Sequence, residues 1–242
     1  MRNYQHETER RVTFIQERLR IANARGIVFA NSGGKDCALV GILCKMACDD
    51  TVGLILPCGS KRNYSEDKAD AESLAAYYGI ESRYIDLGPA RDALVQAMGA
   101  GTLPPSVVSN IAPRLRMTAL YAVASGENRL VPGTGNRSEC HMGYFTKWAD
   151  GIHGCDFNPI HDLTVTEVYE FLRHLGAPPC VIDKAPSGGL YDGQTDEGDM
   201  GCSYAAIDRY LLTGEADAAD LAVIERWHKN TQHKREGLPW MI

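Results

Sequence analysis

The sequence predicts an α/β protein built on a doubly wound, mostly parallel sheet flanked by helices. Short apolar runs alternate with longer stretches of helical spacing from Ile27 to Leu87, the βαβαβ order of a parallel sheet. The runs ending at Ala30, Leu56, Leu87 and Val131 lead into loops at the carboxyl ends of strands, where such a sheet binds ligands.

Taken in order, residues His6 to Ala24 are highly charged but carry Val12, Ile15, Leu19 and Ala22 at helical spacing, an amphipathic helix outside the sheet that covers its edge or a partner subunit. Ile27 to Ala30 reads as a first strand and Val52 to Leu56 as a second, the latter ending in Pro57-Cys58-Gly59-Ser60. Asn63 with Glu66 has the spacing of a capping box, opening a helix through Tyr78 that stops at Gly79. Tyr84 to Leu87 is the expected third strand. Leu103 to Ala124 is largely helical, with Pro113 starting or kinking the main helix, and Leu130-Val131 leads as a short fourth strand into Pro132-Gly133-Thr134-Gly135-Asn136. Thr164 and Glu167 form a second capping box for a helix through Leu175, closed by Gly176. Lys184 to Gly201 is long, polar and glycine-rich, a candidate lid whose alternative is a disordered linker. Helices over Ser203 to Leu212 and Ala216 to Thr231 complete the chain as a C-terminal helical segment.

With 242 residues, 44% of them hydrophobic, the chain has material for one substantial core, and a single domain over 1–242 is the simplest organisation. A net charge of -6 argues against a nucleic-acid partner, which calls for a basic surface. No stretch approaches the length of a membrane span and MRNYQHETERR is too charged for a signal peptide, so no membrane partner and a cytoplasmic location are expected. The eight cysteines form no Cys-x-x-Cys pair and read as small buried hydrophobes in a reducing compartment. Cys37, Cys44 and Cys48 share one helical face, expected to pack on the sheet.

The chemistry concentrates in IVFANSGGKDCAL, residues 27–39, a strand, a glycine turn and a helix start. Adjacent glycines let backbone amides approach an anion, and the helix N-terminus adds exposed N–H groups, so the fitting ligand is a phosphate. Lys35 adds a point charge, while Asp36 makes sense if a divalent cation sits between it and the phosphates. By itself the stretch would equally suit a tight strand-to-helix connection. Neither the Walker spacing nor G-x-G-x-x-G is present. The stretch resembles the SGGxDS loop of the PP-loop ATP pyrophosphatases, which cleave ATP between the α- and β-phosphates. Cys37 stands where that loop usually has Ser, keeping the backbone amide but weakening any hydroxyl contact.

SGGKD at 32–36, NIAPRLRMT at 110–118, GTGNRSE at 133–139, GYFTKWADG at 143–151, GQTDE at 193–197 and HK at 233–234 together resemble the ammonia-dependent NAD synthetases, in order and over nearly the whole chain. The resemblance implies a Rossmann-like fold of the adenine nucleotide alpha hydrolase type. It also implies an enzyme that adenylates the nicotinate carboxylate of deamido-NAD with ATP, releases pyrophosphate, and lets ammonia displace AMP. It makes Asp36 and Glu139 the ligands of Mg2+, hard oxygens on two loops suited to a phosphate-bridging ion. Ser32, Gly33, Gly34, Lys35, Asp36, Cys37, Thr134 and Ser187 are then the ATP contacts. Arg114, Lys147, Asp156, His233 and Lys234 are implied to hold deamido-NAD, with Asp36, Lys147 and Glu139 closest to the chemistry. Phe145 and Trp148 offer rings for stacking. One position departs from the family: an ATP-contacting lysine is expected where Val165 stands, and Lys184 is the cation that could substitute. A homodimer is implied as well.

The chain is too short to include an amidase domain, so free ammonia is the expected donor. A tRNA-modifying PP-loop enzyme is the alternative, and it predicts a basic face and paired catalytic cysteines. A non-catalytic nucleotide-binding module would not require both Asp36 and Glu139.

Overall fold

Four parallel strands lie in the order β3-β2-β1-β4: β1 (Gly26–Ala30), β2 (Thr51–Ile55), β3 (Glu81–Tyr84) and β4 (Arg129–Leu130). This is a computed structural model, and it describes residues 2–99, 101, 103–150 and 153–237; Gly151, the last residue of the 143–151 motif, lies outside them. From β1 the chain winds outward through β2 to β3, then returns to place β4 on the other side of β1. The strand order reverses there, so the loops after β1 and β4 open onto one crevice.

The apolar runs form strands because both faces of the sheet are covered. Ile27 packs with Leu39, Ile42 and Leu43 of α2 (Lys35–Ala47), with Leu74 of a helix beyond β2, and with Phe171 and Leu172. Its neighbour Val28 points the other way and joins Val52, Leu54, Leu120, Ala124 and Val131. Each such side chain, fully buried, stabilises by roughly 1.5–3 kcal/mol. Cys37 and Cys44 are buried in α2, Cys48 only partly, and all are free thiols.

The first helix, α1 (Tyr4–Ala22), buries Thr8, Arg11 and Ile15. Arg11 donates to Asp162 Oδ1 at 2.7 Å and to the Pro159 carbonyl, so this face is spent within the chain, on α2 and on the turn before residue 164. Where one capped helix is expected from Asn63, Ser65 (φ −119°, ψ −93°) divides the segment into α3 (Lys61–Tyr64) and α4 (Glu66–Tyr78). Asn63 lies inside α3 and is no cap: its amide donates to Asp67 at 2.9 Å and accepts from Arg116 at 2.9 Å. The expected third strand, Tyr84 to Leu87, is displaced. Strand β3 starts at Glu81, paired with Val52, because it is an exposed edge strand whose position the parallel ladder sets rather than apolarity. Backbone bonds from Ile85 to Ile55 and from Leu87 to Pro57, both 3.0 Å, continue the pairing into the expected run.

Beyond the edge, α5 (Gly88–Ala97), α6 (Pro105–Ser109) and α7 (Ile111–Glu127) follow, so Pro113 sits in the first turn of the main helix. After β4 come α8 (Arg137–Met142) and α9 (Val165–His174), each opened by a complete capping box, Asn136–Glu139 and Thr164–Glu167. The short α10 (Pro179–Ile182) precedes the candidate lid, which is ordered: Ser187 Oγ donates to the Gln194 carbonyl at 2.8 Å, and Gly188 N donates to Asp196 at 2.8 Å. The lid ends in α11 (Asp196–Met200). Helices α12 (Tyr204–Thr213), α13 (Ala218–Asn230) and α14 (Gln232–Arg235) then bury Met142, Val165, Ile207 and Ile224 in a second core. Val165 is 3% exposed and packs in this second core.

Candidate active site

Asn31 anchors the chain as it leaves β1, its amide donating to the Ala71 carbonyl at 2.9 Å. Gly33 then adopts φ +69° so close to α4 that a Cβ there would come within 2.5 Å of the Asp67 carbonyl oxygen. Both facts require glycine. Gly34 is the N-cap of α2 and offers no side-chain cap, which leaves first-turn amides for an anion.

The first residues of α2 carry the charge. Lys35, 6% exposed, places Nζ 2.7 Å from Asp36 Oδ2 and 3.7 Å from Glu139 Oε1. Asn136 holds the outer oxygens of the same two acids: its amide donates to Asp36 Oδ1 at 3.0 Å, and its backbone N–H donates to Glu139 Oε2 at 3.1 Å. Glu139 is therefore a capping-box acid facing inward, not a solvated first-turn residue. Burial and the neighbouring Asp36 raise its pKa, against the opposing effect of Lys35. For Lys35, burial works against the charged amine, but Asp36 and Glu139 outweigh it and the pKa rises. Burial raises the Cys37 thiol, which accepts from Ser32 Oγ at 3.1 Å and stays protonated.

These groups line a cavity of about 1140 Å³ that includes Ser32, Gly34, Lys35, Asp36 and Cys37 from the loop. Thr134 and Glu139 line it from the strand β4 side, Ser187 from the lid, and Lys234 from α14. Gly33 is turned onto α4 instead. Arg114, Lys147, Asp156 and His233 are not part of the wall. Three of them are tied into one cluster beside it: Arg114 donates to the Lys147 carbonyl at 3.1 Å, and Lys147 Nζ to the His233 carbonyl at 2.7 Å. Lys234 joins this cluster to the cavity, donating to the carbonyls of Gly143 and Phe145 at 2.9 and 2.7 Å. Asp156 is apart, accepting from Tyr121 at 3.0 Å and from the Val131 amide at 2.7 Å. Phe145 lines the cavity, while Trp148 is exposed.

Lys184, at the start of the candidate lid, reaches the glycine turn after β1 and helix α4. Its Nζ stands 2.8 Å from Asp67, 2.7 Å from Asp70 and 3.4 Å from the Gly33 carbonyl. Sequence reasoning missed Arg116, which lines the cavity and donates to the Leu56 carbonyl at 3.0 Å, and also Asn136 and Asp196. All three lie inside motifs already singled out, so the motif was legible and the individual residue was not. The described residues hold no group of three or more His, Cys, Asp or Glu arranged to bind a metal, and no helix among them is long and apolar enough to cross a membrane. Two inward carboxylate oxygens on separate elements do suit magnesium, which binds through one or two carboxylates plus substrate phosphates.

A model of the NAD synthase family matches residues 7–237. The NH(3)-dependent NAD(+) synthetase of Carboxydothermus hydrogenoformans is 45% identical over 237 residues, covering 96% of each chain. The NMN synthetase structure from Francisella tularensis superposes with a TM-score of 0.93 at 34% identity, covering 100% of this chain and 99% of that one. The NH3-dependent NAD synthetase of Campylobacter jejuni gives 0.81 at 28% identity over 100% of both. With a glycine turn between strand and helix at the switch point of a parallel sheet, and a family match over residues 7–237, the chain belongs to the NAD synthase family.

Proposed function

We propose that the chain is a ligase, a single domain over 1–242, that amidates deamido-NAD with ammonia at the expense of ATP. The observation carrying this reading is the pair Asp36 and Glu139, brought from two elements to the phosphate loop inside one cavity. At about 1140 Å³ that cavity exceeds the roughly 300–1,000 Å³ usual for one ligand, as two nucleotide substrates require.

The backbone amides at Gly34 and Lys35, with Ser32, Cys37, Thr134 and Ser187, hold the triphosphate and adenosine. Lys184 adds the cation that Val165 does not. Asp36 and Glu139 hold Mg2+, which when bound neutralises and orients the phosphates. Lys234 on the wall, with Arg114, Lys147 and His233 in the cluster beside it, holds the second nucleotide so that its nicotinate carboxylate oxygen faces the α-phosphorus, whereas Asp156, engaged by Tyr121 and the Val131 amide, is not brought to the cavity. That oxygen forms the P–O bond as the bond to pyrophosphate breaks. Ammonia then forms a C–N bond at the acyl carbon, AMP leaves with the electron pair, and the ammonia nitrogen loses a proton. The protein positions the reactants and neutralises charge, and keeps water from the acyl adenylate. A cytoplasmic homodimer belongs to the same reading.

A second reading is favoured by the 0.93 superposition on an NMN synthetase: the same amidation on nicotinate mononucleotide. Both are tested by supplying ATP, Mg2+ and ammonium with either nucleotide. Equal yields of NAD, AMP and pyrophosphate are expected from deamido-NAD. Amidation of the mononucleotide alone would replace the first reading with the second. Formation of ADP, or AMP formation that needs tRNA, would overturn both.

A further inference from the structure

The inward oxygens of Asp36 and Glu139 already share a cation. Asn136 pins the outer oxygen of each acid, so Asp36 Oδ2 and Glu139 Oε1 both face the Lys35 ammonium, at 2.7 and 3.7 Å. The amine is enclosed beside these acids: Lys35 is 6% exposed, and its Nζ also lies 5.5 Å from the Tyr204 ring. Asp196, 4% exposed, adds a third acid nearby and is itself engaged by Tyr204 at 3.1 Å and by Gly188 N at 2.8 Å.

From this arrangement we infer that Lys35 is a tethered counter-ion that competes with the divalent cation for Asp36 and Glu139, and that the triphosphate relieves the competition. The inference rests on the reading of those two acids as metal ligands. An ammonium and a divalent ion on the same pair of oxygens stand a few ångströms apart and repel each other strongly at a protein-like dielectric. A triphosphate beside the helix N-terminus gives the ammonium another anion within reach of its flexible stem. The divalent ion then takes the carboxylate oxygens while Lys35 turns to the phosphates. Metal and nucleotide therefore bind with positive coupling, and the coupling is reciprocal.

The test is direct Mn2+ binding to the full-length protein, followed by electron paramagnetic resonance, without nucleotide and with a non-hydrolysable ATP analogue. In the absence of nucleotide, K35Q and K35M are expected to bind Mn2+ about tenfold or more tightly than the wild type, while K35R stays weak. The analogue should tighten Mn2+ binding strongly in the wild type and much less in K35Q and K35M. Wild-type Mn2+ affinity in both uncharged variants, with thermal melting showing them folded, would overturn the competition, as would tight binding by K35R. A D36N change added to K35Q should erase the gain. If instead K35Q/D36N still bound Mn2+ tightly, the assignment of Asp36 as a ligand would fall, and the underlying reading with it.

Discussion

One wall of the cavity, Asn31, Ser32 and Gly34 to Cys37, comes from a single short loop, whereas the second wall is collected from remote segments, among them Thr134, Glu139, Tyr144, Lys184, Asp196 and Lys234. In the first wall the shape comes from neighbours: a buried strand, a left-handed glycine and the start of a helix. In the second the functional groups are held by partners remote in the chain, such as Lys184 on Asp70, 114 residues away, and Asn136 on Asp36, 100 residues away. A contiguous loop fails through backbone strain or loss of charge. An assembled wall fails by coming apart.

The sharpest way to break this contrast is Asp36→Asn, which keeps the shape of the loop and removes its charge. Turnover is expected to fall about a thousandfold or more with the melting temperature little changed. Near-normal activity with magnesium would remove Asp36 from the chemistry. Gly33→Ala attacks the shape instead. Its φ of +69° and the 2.5 Å approach to the Asp67 carbonyl predict a loss of about 2–3 kcal/mol in stability by denaturant unfolding, with ATP binding lost alongside. A variant as stable as the wild type would show that the loop relaxes freely.

For the assembled wall, Lys184→Ala is expected to raise the KM for ATP about tenfold with a smaller effect on kcat, and to make the 184–195 segment more sensitive to protease. Lys184→Arg should recover part of the affinity. Equal loss in kcat and in kcat/KM would place Lys184 in the transition state rather than in the lid's attachment.

The smallest effect concerns the seam between α8 and α13. His141 stacks on His228 at 4.2 Å, and burial, His228, Arg235 and Arg137 lower its pKa from 6.5 to about 4. The unfolded chain therefore takes up this proton first as pH falls. The stability involved is complete above pH 6.5 and is lost between there and about pH 4. With partial exposure this is worth about 1 kcal/mol, and His141→Gln should flatten that slope in melting curves between pH 4 and 7. An unchanged slope would assign the acid sensitivity to other groups.

Legibility followed the same division. Strands β1 and β2, the glycine turn, the Thr164–Glu167 cap and the two long C-terminal helices were readable because their signals lie within a few residues. Strand β3 was not, since an edge strand with exposed side chains carries no apolar run, and its register comes from β2. Asn63 imitated a cap while its amide serves Asp67 and Arg116. The six motifs come together around the cavity, but they did not tell which residues reach it: Lys234 lines it, whereas Arg114, Lys147 and His233 form a linked cluster beside it.

By itself the sequence determined the strand, glycine turn and helix start of residues 27–39, because a buried apolar run, a glycine able to take positive φ and a helix start are local preferences of the chain. Only the tertiary structure decided that Lys35 rests between Asp36 and Glu139, that Asn136 turns both acids inward, and that Lys184 bridges the lid to α4. Those placements depend on which segments the sheet order and the helical cores bring together. Hydrogen bonds and contact ion pairs form only within a few ångströms, and separation along the chain says nothing about such distances.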